Sequence, residues 1–343
     1  MPPLYYGNLP ERKPAMPHEP ILVVGGAGYI GSHMAKRLAT GGIPGCTLDD
    51  LSTGFRDAVT GPFVECAMQD TAAVAAAVRE TGAKAAMLFA GFIQVAESVK
   101  DPAKYRQNNV VNTGMLLETL CNEGLQYLVF SSTAAVYGEP RQTPIPEAHP
   151  LEPVNPYGQT KLEVERMLAQ YERSHGLRWA ALRYFNAAGA HPDGDIGERH
   201  DPETHLIPLA LRAASGRLPT LTMYGTDYPT PDGTCVRDYV HVCDIVEAHM
   251  LALDYLRAGG ASRAFNLGNG KGFSVKQVLD AVGRVTGLPV PVQVGPRRAG
   301  DPAALVADSA LAKEALGWKP AFSNLDTIVA HAWAWERRMA GRA

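Results

Sequence analysis

The sequence is short of the pairings that would turn its cysteines into a framework. Cys46, Cys66, Cys121, Cys235 and Cys243 are odd in number and scattered, with no C-x-x-C pair. This argues against a disulfide scaffold or a thiolate zinc site and predicts reduced thiols in a cytoplasmic protein. Long apolar runs are missing too, and nothing approaches the roughly 20 residues of a membrane span. Residues 1–20 contain six prolines and no apolar signal core, which predicts a flexible tail. No internal repeat is visible. Strong charge of either sign is also lacking. A net charge of −3 over 343 residues gives no overall pull toward nucleic acid or membrane. Any bound phosphate must therefore be held by local groups. What remains, 46% hydrophobic and 20% charged residues, is the composition of a globular chain long enough to divide in two.

The most informative stretch is Ile21-Leu22-Val23-Val24 followed by Gly25, Gly28 and Gly31. Four apolar, mostly β-branched residues read as a buried parallel strand. Ile30, Met34 and Leu38 then recur at helical spacing until Gly41-Gly42 ends the run. Strand, glycine turn and helix in this order place backbone N–H groups and a helix N-terminus where a pyrophosphate can sit. A side chain at Gly25 would crowd the turn, one at Gly28 would block the phosphates, and one at Gly31 would push the helix off the sheet. Asp49 lies 21 residues after Gly28, behind a second candidate strand ending at Leu48. A carboxylate there accepts hydrogen bonds from a ribose diol and repels a 2′-phosphate, so NAD is expected over NADP.

Strand and helix patterns alternate from Ile21 to about Phe185. Ala85–Phe89, Tyr127–Ser131 and Trp179–Phe185 read as strands; Thr71–Glu80, Pro102–Glu123 and Tyr157–His175 read as helices. The expected fold is α/β, a Rossmann-type doubly wound parallel sheet (21–185) that the chain rejoins around 236–258, with a smaller C-terminal α/β substrate domain (186–343). Ligands then bind beyond the carboxyl ends of the strands. One such end carries Thr133. Another segment, Asn155-Pro156-Tyr157-Gly158-Gln159-Thr160-Lys161, supplies an N-cap, a first-turn proline, and Tyr157 and Lys161 four residues apart on one helix face. A tyrosine acting as base near neutrality needs its pKa of about 10 lowered by roughly three units. A nearby cation and the helix N-terminus are suited to that task.

Several longer motifs narrow the reading. They are Leu182-Arg183-Tyr184-Phe185-Asn186 with Gly189-Ala190-His191-Pro192, the run Tyr224 to Thr234, Val236-Arg237-Asp238-Tyr239-Val240-His241-Val242, and Pro296-Arg297-Arg298-Ala299-Gly300-Asp301. Through them, from about Ile21 to Trp335, the chain resembles the extended short-chain dehydrogenase/reductase family, in its branch of nucleotide-sugar 4-epimerases acting on UDP-glucose and UDP-galactose. The resemblance implies NAD as a tightly held cofactor, a UDP-sugar as substrate and a homodimer formed by helices Pro102–Glu123 and Tyr157–His175. It implies Tyr157, Lys161 and Thr133 as catalytic residues, with Tyr157 deprotonating the sugar 4-hydroxyl while hydride leaves C4. The 4-keto sugar then turns over and is reduced on its other face. On the cofactor side it implies Gly25, Gly28, Tyr29, Ile30, Gly31, Asp49, Asp50, Phe89, Ala90, Gly91, Asn109, Ser131 and Tyr184. On the substrate side it implies Asn186, His205, Leu206, Thr222, Tyr224, Arg237, Arg298, Asp301 and Leu305, the last bordering the sugar.

Three positions depart from the family pattern. Ile93 stands where a lysine is common, Ala67 where a carboxylate commonly meets the adenine, and Asp50 where Asn is frequent. A 4,6-dehydratase in the same fold needs acidic residues after the strand-end threonine, and here Ala134 and Ala135 follow. A dinucleotide-sensing protein without chemistry has no need of Thr133, Tyr157 and Lys161 together. His191, Asp193, Asp195, His200, Asp201, Glu203 and His205 match no compact ligand spacing and read as a polar loop, so no metal is expected.

Overall fold

The computed structural model describes residues 19–298 and 300–341, so most of the expected tail lies outside the described residues. Strand β1 (Ile21–Val24) is fully buried and is followed by helix α1 (Tyr29–Thr40). Next come β2 (Gly45–Asp49), β3 (Phe63–Glu65), α2 (Thr71–Thr81) and β4 (Ala85–Leu88). Helices α3 (Val95–Lys100), α4 (Pro102–Arg106) and α5 (Thr113–Asn122) lead to β5 (Tyr127–Thr133), α6 (Pro156–His175) and β6 (Arg178–Tyr184). The helix expected over Pro102–Glu123 is interrupted: Gln107–Asn112 forms a π turn between α4 and α5. Such turns are common at functional sites, and this one carries Asn109.

Beyond β6 the chain is made of smaller pieces that are shared between the substrate half and the sheet. These are β7 (Asn186–Ala188), α7 (Leu206–Ala214), β8 (Leu221–Tyr224), β9 (Val236–Arg237), β10 (Tyr239–His241), α8 (Val242–Arg257), β11 (Arg263–Leu267), β12 (Phe273–Ser274), α9 (Val275–Thr286), β13 (Val292–Gly295), β14 (Ala304–Leu305), α10 (Ala310–Leu316) and α11 (Leu325–Ala340).

One seven-stranded sheet, in the order β11-β6-β5-β4-β1-β2-β3, pairs in parallel throughout. Its central strands are apolar on both faces, as a sheet covered by helices requires. On one face Ile21, Val23, Met87 and Val129 pack with Met34, Ile245, Leu253 and Trp318. On the other, Leu22, Val24, Leu88 and Phe130 pack with Val74, Leu116, Leu120 and Val164. Strand order reverses between β1 and β4, the crevice where open α/β sheets bind their ligands. A third apolar cluster, built from α7, α9 and α11 with Ile207, Val278 and Ile328, forms the substrate half. Two- and three-stranded ribbons join it to the sheet, among them β12-β9-β14.

Candidate active site

The turn after β1 shows why its glycines are glycines. Gly25 has φ +81°, and a Cβ on it would lie 2.3 Å from the Ala90 amide nitrogen. A Cβ on Gly31 would lie 2.1 Å from the Gly25 carbonyl oxygen. Gly28 differs: its nearest neighbour would be 3.5 Å away, so that side of the turn faces open space beside the N-terminus of α1. A cradle that a Cβ would fill, at a helix N-terminus, fits a dinucleotide pyrophosphate. Asp49 closes the loop from behind, accepting from the Ala27 and Leu51 amides at 2.9 and 2.8 Å. Burial pushes its carboxyl up, and those two amides pull it down. Asp50 is exposed and caps the Ser52 amide. Tyr29 donates to the Gly189 carbonyl at 2.7 Å, tying the cofactor turn to the start of the substrate half. Ile30 packs against the sheet.

Beyond β4, Phe89 and Ala90 both donate backbone N–H groups to Val24 O. Gly91 then passes between Asn109 and Lys161, within 3.3–3.4 Å of both for an added Cβ. Asn109 uses its amide on Phe92 N–H and C=O and on the Thr160 hydroxyl. It therefore fixes the loop containing Ile93, which is 39% exposed.

The chemistry-bearing groups meet at the ends of β5 and β6. Asn155 caps the Gly158 amide at 2.8 Å and Pro156 opens α6, which sets Tyr157 in its first turn. A Cβ on Gly158 would meet Ala135 O at 2.4 Å, so only glycine lets this helix start approach the strand end. Thr133 lies near enough to pull the Tyr157 phenol down, yet burial dominates and pushes it up to about 12. Lys161 lies behind it. Its ammonium donates to Ser131 O at 3.0 Å and lies over the Phe130 ring. Burial lowers Lys161 to about 8. Ser131 and Tyr184 join hydroxyl to hydroxyl at the same level, and burial raises the Tyr184 phenol.

A buried polar chain lies beneath, which the linear pattern did not mark. Glu165 accepts from the Ser132 hydroxyl and from Arg183 in a two-point pair. Arg183 donates on to the Tyr137 hydroxyl, which donates to Asn266. Breaking one member of such a pair leaves an uncompensated buried charge. The chain thus locks β5, α6, β6 and β11 together under Thr133. Its only sequence signal is a Glu and an Arg inside otherwise apolar periodic segments.

On the substrate side, β14 runs parallel to β9 with Leu305 opposite Arg237. Arg237 makes an ion pair with Asp301 and donates to Val236 O. Arg298 lies over the Tyr224 ring at 4.0 Å, and Thr222 accepts from Gln293 at 2.9 Å. Leu305 packs with Phe185 against Ala134, Tyr137 and Leu162, within the layer that underlies Thr133. Asn186 hydrogen-bonds through its backbone to Asp238. Asp238, fully buried, accepts from the Asn269, Gly270 and Ala307 amides and so fixes the path of the chain after β14. His205 caps the N-terminus of α7, where Leu206 begins. The polar loop 191–205 is more compact than its spacing implied. His191, Asp193 and Asp195 gather round the Lys36 ammonium, and Glu198, His200, Glu203 and His205 form a second cluster.

The sequence profile of the NAD dependent epimerase/dehydratase family matches residues 21–268, and the chain belongs to that family. It is 49% identical over 317 residues to the UDP-glucose 4-epimerase of Lacticaseibacillus casei, covering 92% of this chain and 96% of that one. The crystal structure of the Brucella ovis UDP-glucose 4-epimerase in complex with NAD superposes with a TM-score of 0.90 at 50% identity, covering 92% and 98% of the two chains. The Stenotrophomonas maltophila enzyme, with bound NAD and formylated UDP-arabinopyranose, gives 0.92 at 39% identity over 95% and 100%.

Proposed function

We propose that this protein interconverts UDP-glucose and UDP-galactose, with Tyr157 as the base and Thr133 as its partner on the sugar oxygen. The chain is an isomerase of nucleotide sugars that uses NAD. The observation that carries the residue assignment is the nearness of Thr133, at the end of β5, to the Tyr157 phenol in the first turn of α6. The chemistry that bound NAD supplies is oxidation and re-reduction at C4. Tyr157, as phenolate, accepts the proton of the 4-hydroxyl and returns it after the ketone has turned over. Thr133 donates to the same oxygen. Burial holds the Tyr157 phenol at about 12, so positive charge has to bring it down. Lys161, held at Ser131 O, supplies part of that charge, and an oxidised nicotinamide held near Tyr184 would supply the rest. Ala134 and Ala135 offer no proton, which leaves no acid for a dehydration.

The remaining residues divide between the two ligands. Gly25, Gly28, Tyr29, Ile30 and Gly31 cradle the NAD pyrophosphate, Asp49 and Asp50 take the adenosine ribose, and Phe89, Ala90, Gly91, Asn109 and Ser131 line the remaining length. Arg237 and Arg298 take the UDP diphosphate as fork-shaped donors. Arg237 leaves Asp301 to do so, which frees that carboxylate for the uridine ribose. Asn186, Thr222, Tyr224 and the backbone of His205–Leu206 complete the nucleotide site, and Leu305 borders the sugar. The exposed apolar residues Val111 and Met115 within 102–123 support a homodimer formed through that segment and the helix 157–175. Five free cysteines, three of them buried, suit a cytoplasmic location.

The test is turnover of UDP-galactose by protein purified with whatever nucleotide it retains. Full activity with no addition, and NAD(H) released on denaturation, are the expected results. A nucleotide-free protein whose turnover follows added NADP would overturn the reading of Asp49.

A further inference from the structure

Two clusters of ligating side chains lie in the loop between β7 and α7, and they are not alike. In the first, the Lys36 ammonium sits 2.9 Å from Asp193, 2.6 Å from Asp195 and 3.1 Å from His191 Nδ1. A cation from the chain itself already occupies that centre. In the second, among the described residues, no lysine sits at the centre, and Arg212 comes only to 4.0 Å of Glu203. Glu198, His200, Glu203 and His205 face one another with all four ligating atoms within 4.8 Å. His205 Nδ1 lies 2.9 Å from Glu198 Oε1 and 3.0 Å from Glu203 Oε1. His200 Nδ1 lies 3.4 Å from Glu198 Oε1 and 3.5 Å from Glu203 Oε2. A tetrahedral ion bound at about 2.0–2.1 Å holds its ligands about 3.3 Å apart. With Glu203 Oε2 as the open ligand, three separations of 2.9, 3.4 and 3.5 Å lie near that spacing, and the four ligating atoms all lie within 4.8 Å of one another.

A second observation points into the same centre. Glu203 has a side chain only 1% exposed, and its Oε2 has no hydrogen-bond partner; His200 Nδ1 is also buried and without one. Buried polar atoms left unpaired are rare and call for a partner. Glu203 is held for the purpose, because its other oxygen accepts from the Thr204 and His205 amides at 2.8 and 2.9 Å. Glu198 is held through its carbonyl, which accepts from the Trp335 indole at 2.8 Å. Arg212 comes to 4.0 Å of Glu203, but Glu336 faces it and Arg217 together. A recess of about 350 Å³ bordered by Glu198, His200 and Arg212 gives access from solvent.

We propose that Glu198, His200, Glu203 and His205 form a structural site for a divalent ion of the zinc class. Two imidazoles and two carboxylates in a tetrahedron suit zinc, and four protein ligands leave no open position for chemistry. The ion would stand in place of the protons that the two histidines otherwise share with the two carboxylates. Its position gives it a use. The His200 ring meets Tyr29 edge-on at 6.2 Å between centroids, and Tyr29 opens α1 at the cofactor turn. His205 caps α7 on the other side. One ion thus clamps the loop that joins the cofactor turn to the substrate half.

The experiment uses the full chain with its nucleotide, stripped with chelator, dialysed against zinc and then against metal-free buffer. Elemental analysis is expected to find about one zinc per chain, falling at least about tenfold in Glu203→Gln and His200→Gln. Asp195→Asn, in the neighbouring cluster, is expected to keep its zinc. Cobalt replacing zinc in the unaltered chain is expected to give the intense visible bands of a tetrahedral site, so that the result does not depend on a variant that folds poorly. No zinc retained by the unaltered chain, zinc retained equally by Glu203→Gln, zinc lost in Asp195→Asn, or cobalt with only weak octahedral bands would each overturn the proposal.

Discussion

The cofactor half and the substrate half hold their ligand-facing groups by different means. Around the glycine turn, backbone lies directly on backbone, with Gly31 against the Gly25 carbonyl and Gly25 against the Ala90 amide. On the substrate side, long side chains on two-residue strands reach one another through ion pairs, such as Arg237 with Asp301. Backbone contacts cannot yield by rotating a side chain. The first half should therefore fail abruptly when altered, and the second by degrees.

The largest effect belongs to the base. Tyr157→Phe should cut turnover by about a thousandfold while leaving UDP-sugar binding intact, read by steady-state kinetics beside calorimetric titration. Full activity would remove Tyr157 from the mechanism. The sharpest comparison lies within the turn itself. Gly31→Ala should cost about 3 kcal/mol of stability in chemical denaturation, since the added carbon meets a carbonyl oxygen. Gly28→Ala, whose Cβ meets only the Gly25 carbonyl oxygen at an ordinary contact distance of 3.5 Å, should unfold at the unchanged midpoint and hold NAD about tenfold more weakly. Equal destabilisation by both would break the distinction. On the substrate side, Arg237→Ala should raise KM for the UDP-sugar by roughly 10- to 100-fold with little change in kcat, as expected for lost charge-assisted bonds. Smaller again, Leu305→Tyr should suppress turnover of N-acetylated UDP-sugars by about tenfold and spare the simple hexoses. Equal loss of both would show that Leu305 is not the gate.

The smallest effect is a slope with pH. Lys161 falls to about 8 in the folded chain, against about 10.4 when unfolded. Between those values the unfolded state binds more protons, so the share of stability owed to this group rises with pH across that window. Lys161→Met should flatten the rise, measured on nucleotide-free protein by denaturant titration at several pH values.

What was legible in the sequence follows from which forces act locally. Ile21–Val24 and the three glycines could be read because strand burial and turn geometry are decided within a dozen residues. Asn155, Pro156 and Tyr157 were legible for the same reason, since cap, first-turn proline and helix face are local. The π turn at Gln107–Asn112 was not, because a single extra residue in a helix leaves the apolar period nearly unchanged. The Glu165–Arg183–Tyr137–Asn266 chain was invisible because its members stand up to 129 residues apart. The partner of the Lys161 ammonium, the Ser131 carbonyl 30 residues back, is likewise a contact that helical spacing does not contain. The gathering of Glu198, His200, Glu203 and His205 depends on how one loop closes against Tyr29 and Trp335, contacts that no spacing rule contains.

The sheet is completed late in the chain. Its edge strand β11 begins at Arg263, and Leu316 and Trp318 share one cluster with Ile21 and Met34. During synthesis, then, the ribosome releases the glycine turn about 300 residues before that cluster can close. Until β11 arrives, β6 shows the nascent chain's bare sheet edge to whatever is nearby, the kind of edge that invites aggregation. A messenger truncated before Arg263 would yield a chain that carries every residue of the glycine turn and yet lacks the edge strand and the Phe265, Leu267, Leu316 and Trp318 packing that helps hold it in shape.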